Sequence, residues 1–194
     1  MKPWRVTVDQ TNELWTLSEV KNYLKVEDSA DDSLITTIIK GAREAVEARQ
    51  NISTLNKTIV QRLERFPSSY KVATDYENVI KLLVYPVISV TSITYLDENG
   101  NSQTLPQNLY EVDTYRGIIG EAVDEDFPDT YLSLNDVTIT YVAGFGTSAT
   151  SCPTDIRIAI LKMIANIYEN RTDSVYKMPT ASDVMLNRHK YDWV

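Results

Sequence analysis

Cys152 and His189 are the only cysteine and the only histidine in this chain of 194 residues, and a thiol nucleophile activated by an imidazole is the first chemistry to test. A thiolate needs a base beside it. His189 stands among the last residues, so the pair would work only if the end of the chain folds back. A small, buried residue next to a helix start is the better reading of Cys152. One cysteine excludes an intrachain disulfide and a cysteine metal cage. Zinc sites draw several ligands from His and Cys, which this composition does not offer.

Carboxylates are the next candidates. The run Glu27-Asp28-Ser29-Ala30-Asp31-Asp32 lacks the D-x-D-x-D-G pattern and distant Glu of a calcium loop. Asp31 or Asp32 is expected instead to cap the helix that follows, where unpaired N–H groups and the helix dipole favour an anion. Asp124 and Asp126 could in principle serve as an acid and base pair. They sit in Glu121-Ala122-Val123-Asp124-Glu125-Asp126 ahead of Phe127-Pro128-Asp129, which reads as a solvated loop between strands. Gly144-Phe145-Gly146 lacks the third glycine and the Lys-Ser or Lys-Thr of phosphate loops, so a glycine-permitted turn after a strand explains it. No metal and no cofactor is expected.

The elements that would position these residues follow from periodicity. Thr16 and Glu19 have capping-box spacing before a helix at about 16–25 with Leu17, Val20 and Leu24 on one face. A second helix carries Leu34, Ile35, Ile38, Ile39, Ala42, Ala45 and Val46, giving a helical hairpin. Strands are expected at about 58–66, 79–84, 87–96, 109–113, 117–121 and 136–142. Asp97-Glu98-Asn99-Gly100 carries the Asn-Gly hairpin signal, and Tyr115-Arg116-Gly117 a second turn. Pro153 opens a helix at about 154–170, with Ile156, Ala159, Ile160, Met163, Ile164 and Ile167 on one stripe and Ile158, Leu161 and Ala165 on another. Such a helix is buried on two sides, inside its domain or against a neighbouring subunit. Residues 172–194 show little periodicity, with Pro179 among polar residues and isolated large side chains, so the reading expects a loosely packed tail that either folds back or docks on a partner.

The expected fold class is α+β: a helical core, formed by the N-terminal hairpin and the long C-terminal helix, with an inserted antiparallel β-region. Residues 1–171 are expected to form a single domain with its β-rich middle at about 52–143, followed by the tail at 172–194. Apolar residues make up 43% of the chain and charged ones 24%, and no stretch of about twenty apolar residues could cross a bilayer. Met1 to Arg5 has no secretory pattern, so synthesis in the cytoplasm is expected. A net charge of -8 opposes tight binding to nucleic-acid phosphates.

Several blocks, in order, resemble one family. They are Thr16-Leu17-Ser18-Glu19-Val20-Lys21-Asn22-Tyr23-Leu24-Lys25-Val26, an acidic spacer, Leu34 onward with Ala42-Arg43-Glu44-Ala45-Val46-Glu47, and Tyr85-Pro86-Val87-Ile88-Ser89-Val90-Thr91-Ser92-Ile93-Thr94-Tyr95. Ile139-Thr140-Tyr141-Val142-Ala143-Gly144-Phe145-Gly146 follows, then Pro153-Thr154-Asp155-Ile156-Arg157 through Tyr168-Glu169-Asn170-Arg171. Over roughly residues 14 to 171 the chain resembles the head-tail connector, or head-completion adaptor, family of tailed bacteriophages. The resemblance implies a non-enzymatic virion protein at the head-tail junction, forming a homo-oligomeric ring of about a dozen subunits. That ring would stack beneath the portal protein, continue the channel for genomic DNA without specific binding, and meet the next neck or tail-completion protein. It also implies a C-terminal segment able to reach the portal, for which Tyr176, Met185, Leu186, Tyr191 and Trp193 are the candidate docking residues. Another virion ring, such as a tail-completion protein, is the alternative; a carboxylate enzyme is the more distant one.

Overall fold

The computed structural model describes residues 3–10, 12–67, 79–131, 134–170 and 180–189. The chain divides into two compact units, one from residues 1–9 and 57–144, the other from 10–56 and 145–194. The β-region is thus inserted between the two halves of the helical unit, and the fold is α+β.

In the helical unit, α1 (Leu17–Leu24) begins with the expected capping box: Thr16 Oγ1 accepts from Glu19 N–H at 3.2 Å, and Glu19 Oε2 accepts from Thr16 N–H at 2.8 Å. Hydrogen bonds from the Thr16 backbone and hydroxyl hold the Glu19 carboxyl below its ordinary range despite some desolvation. α2 (Asp32–Gln50) buries Ile35, Ile38, Ile39, Ala42 and Val46 on one stripe. Asp31 makes no side-chain cap there, so of the two acids expected at this end it is Asp32, in the first turn, that stands where the helix dipole favours an anion. The Asp31 carboxylate accepts the Tyr168 hydroxyl at 2.7 Å, while Asp32 pairs with Lys21 Nζ at 2.6 Å. The acidic spacer therefore links α2 to its neighbours. α3 (Thr154–Glu169) buries Ile156, Ala159, Ile160, Met163 and Ile164 and leaves Ile158, Leu161 and Ala165 half-buried.

In the β-unit, a five-stranded antiparallel sheet has the order β1 (Trp4–Val8), β2 (Lys57–Leu63), β8 (Val137–Ala143), β4 (Val87–Leu96), β5 (Ser102–Thr104). A second sheet has the order β3 (Ile80–Lys81), β7 (Ile118–Glu121), β6 (Tyr110–Asp113). Alternation sets the faces of the larger sheet. Val137, Ile139, Tyr141 and Ala143 point to the core with Ile59 and Ile93, whereas Thr138, Thr140 and Val142 share the outer face with Thr58, Val60, Ser92 and Thr94. Gly100, at φ +78°, makes the turn between β4 and β5. Gly117, at φ +62°, turns between β6 and β7, where an added Cβ would collide with the Tyr85 ring.

Two strands end earlier than their composition suggests, each for a local reason. β2 stops at Leu63, and Phe66 instead stacks on Phe127 with ring centroids 4.7 Å apart. The expected strand at 79–84 shrinks to β3 because side chains take over its backbone groups. Gln61 donates Nε2–H to the Lys81 carbonyl at 2.8 Å and accepts the Leu83 N–H at 3.0 Å. The buried Tyr141 hydroxyl accepts the Val84 N–H at 3.1 Å. A buried backbone group must be paired, and here an amide and a phenol replace a ladder.

Candidate functional site

Among the described residues no hydrogen bond or ion pair joins the sequence candidates for catalysis to one another. Cys152 is 2% exposed, and burial pushes its thiol up to about 12, further from a thiolate than an ordinary cysteine. His189 pairs with Asp155 instead: Nε2 lies 2.7 Å from Oδ2, and its ring meets Phe145 edge-on. Burial of Asp155 raises its pKa, but the His189 contact and backbone donors outweigh this and leave it below the ordinary carboxylate value. Asp124, Glu125 and Asp126 are exposed in a loop, with Asp124 at φ +62°. Gly146 packs against Ser151, whose hydroxyl is 3.0 Å from that of Ser148, so the Gly-Phe-Gly turn shapes a hydroxyl-lined loop. Among the described residues no group of three His, Cys, Asp or Glu side chains could hold a metal ion.

The strongest electrostatic feature is internal and was not anticipated from the sequence. Arg43, 1% exposed on α2, forks onto Glu13 through Nε–H to Oε2 at 2.7 Å and Nη2–H to Oε1 at 3.0 Å. Nη1–H donates to Glu47 Oε2 at 2.9 Å, one turn along α2. Glu47 Oε1 accepts the Thr54 N–H at 2.9 Å and its hydroxyl at 2.7 Å. The cluster ties the segment before α1, helix α2 and the loop after it into one piece. Arg43 and Glu47 at i and i+4, beside the buried Ala42 and Val46, were its only sequence signal.

The C-terminal candidates divide. Tyr176, Tyr191 and Trp193 lie outside the described residues. Residues 180–187, where no regular element was expected, form α4 (Thr180–Asn187), which packs on α3. Leu186 is fully buried and Met185 half-buried, and the buried Ser182 hydroxyl donates to the Ala159 carbonyl at 3.4 Å. Asp183 pairs with Arg49 of α2. Asp183, an acid in the first turn of α4, was the missed start signal. In the helical unit, Trp15, Tyr23 and Leu161 border a shallow groove of about 570 Å³. Arg157 lies 4.6 Å from the centroid of the Trp15 ring.

These groups hold helices and loops in place, and the fold they stabilise is of the α+β class. A profile of the phage gp6-like head-tail connector protein family matches residues 15–112, half of the chain. The chain belongs to this family, and its role is that of a virion connector. Solved chains share its fold. One from "Neck of empty GTA particle computed with C6 symmetry" superposes with a TM-score of 0.78 at 21% identity, covering 98% of this chain and 96% of that one. Another, from "Virion of native gene transfer agent (GTA) particle", gives 0.78 at 20% identity with the same coverage. A third, from "Neck of native GTA particle computed with C12 symmetry", gives 0.67 at 22% identity over 94% and 96%. No curated protein matches the chain. Among the described residues no helix is long and apolar enough to cross a membrane.

Proposed function

We propose that this chain is a subunit of a ring that stacks beneath the portal at the head-tail junction, extends the DNA channel and receives the next neck or tail protein. The observation that carries the reading is the family match over residues 15–112, which runs from α1 into β6. Symmetry of twelve or six in the matching necks supports assembly from repeated copies. The half-buried second stripe of α3 and the groove at Trp15, Tyr23 and Leu161 are surfaces a neighbour could cover. A net charge of -8 suits a wall past which DNA slides without being gripped.

We assign portal docking to the large side chains that flank α4 in the sequence rather than to Leu186. Leu186 belongs to the packing on α3 and could reach a partner only if α4 let go. Tyr191 and Trp193 are the anchors we assign to the portal, with Tyr176 and Met185 in supporting positions. Aromatic anchors carry a disproportionate share of interface energy, and a ring repeats each contact many times. Replacing Tyr191 and Trp193 together by serine is expected to leave the melting temperature unchanged and to weaken portal association at least about tenfold. Association equal to that of the unmodified chain, or a fall in melting temperature, would contradict docking by these residues.

A further inference from the structure

The outer face of the larger sheet has an unusual charge pattern for so acidic a chain. Arg5 stands opposite Val60, and Arg62 is two residues further along β2, so the two guanidinium groups occupy diagonal positions on one face. Such positions lie about 7–8 Å apart. Both arginines are exposed, and among the described residues neither is in an ion pair. The neighbouring strand positions, Thr58, Val60, Thr138, Thr140, Ser92 and Thr94, carry hydroxyls and methyls and no carboxylate. Two like charges side by side repel, so this corner gains from an anion, and the exposed Glu64 just past the end of β2 pairs with neither arginine.

The same unit holds a matching group. Asp124, Glu125 and Asp126 are three consecutive exposed carboxylates after β7, and none of them is in an ion pair among the described residues. Asp124 is held at φ +62°, in a backbone conformation outside that of a regular strand. A positive corner on β1 and β2 and a negative loop after β7 give one chain two complementary surfaces, and a head-to-tail contact between copies uses one from each subunit.

We infer that the Arg5–Arg62 face receives the Asp124–Asp126 loop of a second copy of this chain, and that this contact sets the direction of assembly around the ring. The inference rests on the ring reading above. It predicts self-association that weakens with salt, since exposed pairs are screened.

The test is a charge exchange on the full chain, read by sedimentation velocity at low and physiological salt. Arg5→Glu with Arg62→Glu, and separately Asp124→Lys with Asp126→Lys, should each raise the concentration needed for assembly roughly tenfold without changing the melting temperature. Mixing the two double variants should restore assembly, because every interface then again joins opposite charges. Assembly unaffected by either reversal would overturn the contact and leave the ring reading standing. A wild-type chain that stays monomeric at every concentration, with portal present as well as absent, would overturn both. Reversal at Arg5 and Arg62 that changes duplex DNA binding but not assembly would assign the face to phosphates and overturn the proposal.

Discussion

Replacing Arg43 by leucine is expected to destabilise the helical unit by roughly 3–5 kcal/mol, because the substitution leaves Glu47 buried with its charge uncompensated. Glu47 would keep its two bonds from Thr54 but lose the guanidinium, and Glu13 would lose both arms of the fork. For a chain of this size each kcal/mol moves a thermal midpoint by about 2–4 °C, so the transition should fall by roughly 6–20 °C. Arg43→Lys keeps the charge without the planar fork and should fall between wild type and leucine. Arg43→Met combined with Glu47→Leu removes both charges of the innermost pair and should recover part of the loss. Differential scanning calorimetry checks the series. A midpoint within about 2 °C of wild type for Arg43→Leu would mean that the network contributes little.

Leu186→Ala should release α4. An eight-residue helix cannot hold itself together in water, so its order depends on the face it lays on α3. Removing a fully buried leucine costs about 2–5 kcal/mol in a packed core, but α4 can detach alone, so the loss appears as local opening. Amide hydrogen exchange at residues 183–187 should accelerate at least about 30-fold, while the buried stripe of α3 keeps most of its protection. Ending the chain at Tyr176 should lower the melting temperature, since it also removes the Asp183 and His189 contacts. A lower melting temperature is the outcome of the fold-back alternative, which the sequence left open beside docking. Unchanged exchange in Leu186→Ala would show that α4 does not depend on that side chain.

Much of the architecture was legible because the relevant signals are local. The capping box at Thr16 and Glu19, the apolar stripe of α2, the alternation of β8 and the Asn-Gly turn each specify their element within a few residues. What was missed depends on partners distant in the chain. β1 alternates Trp4, Val6 and Val8 with Arg5 and Thr7, but it is an edge strand whose side chains stay mostly exposed, so no buried face marks it. β5 is three polar residues held only by its hairpin partner. The Arg43–Glu13 fork spans thirty positions, and Tyr168 reaches Asp31 across 137. The acidic spacer illustrates the limit: its charges suited a helix cap, but a distant tyrosine hydroxyl and the neighbouring Lys21 supply other partners. At the chemical candidates, periodicity gave no sign that the end of the chain returns to place His189 on Asp155, a contact across 34 positions. The Arg5–Arg62 diagonal needed β1 and its register before it could be seen.

We propose above that this chain adds a ring to the portal. Electron microscopy of the full chain mixed with its portal, averaged along the symmetry axis, tests it most directly. The expected result is one additional coaxial layer of repeated subunits on the portal's tail-side face, absent when either protein is imaged alone. A portal that keeps its bare outline in excess chain, or a layer that forms only on a purified tail, would contradict it.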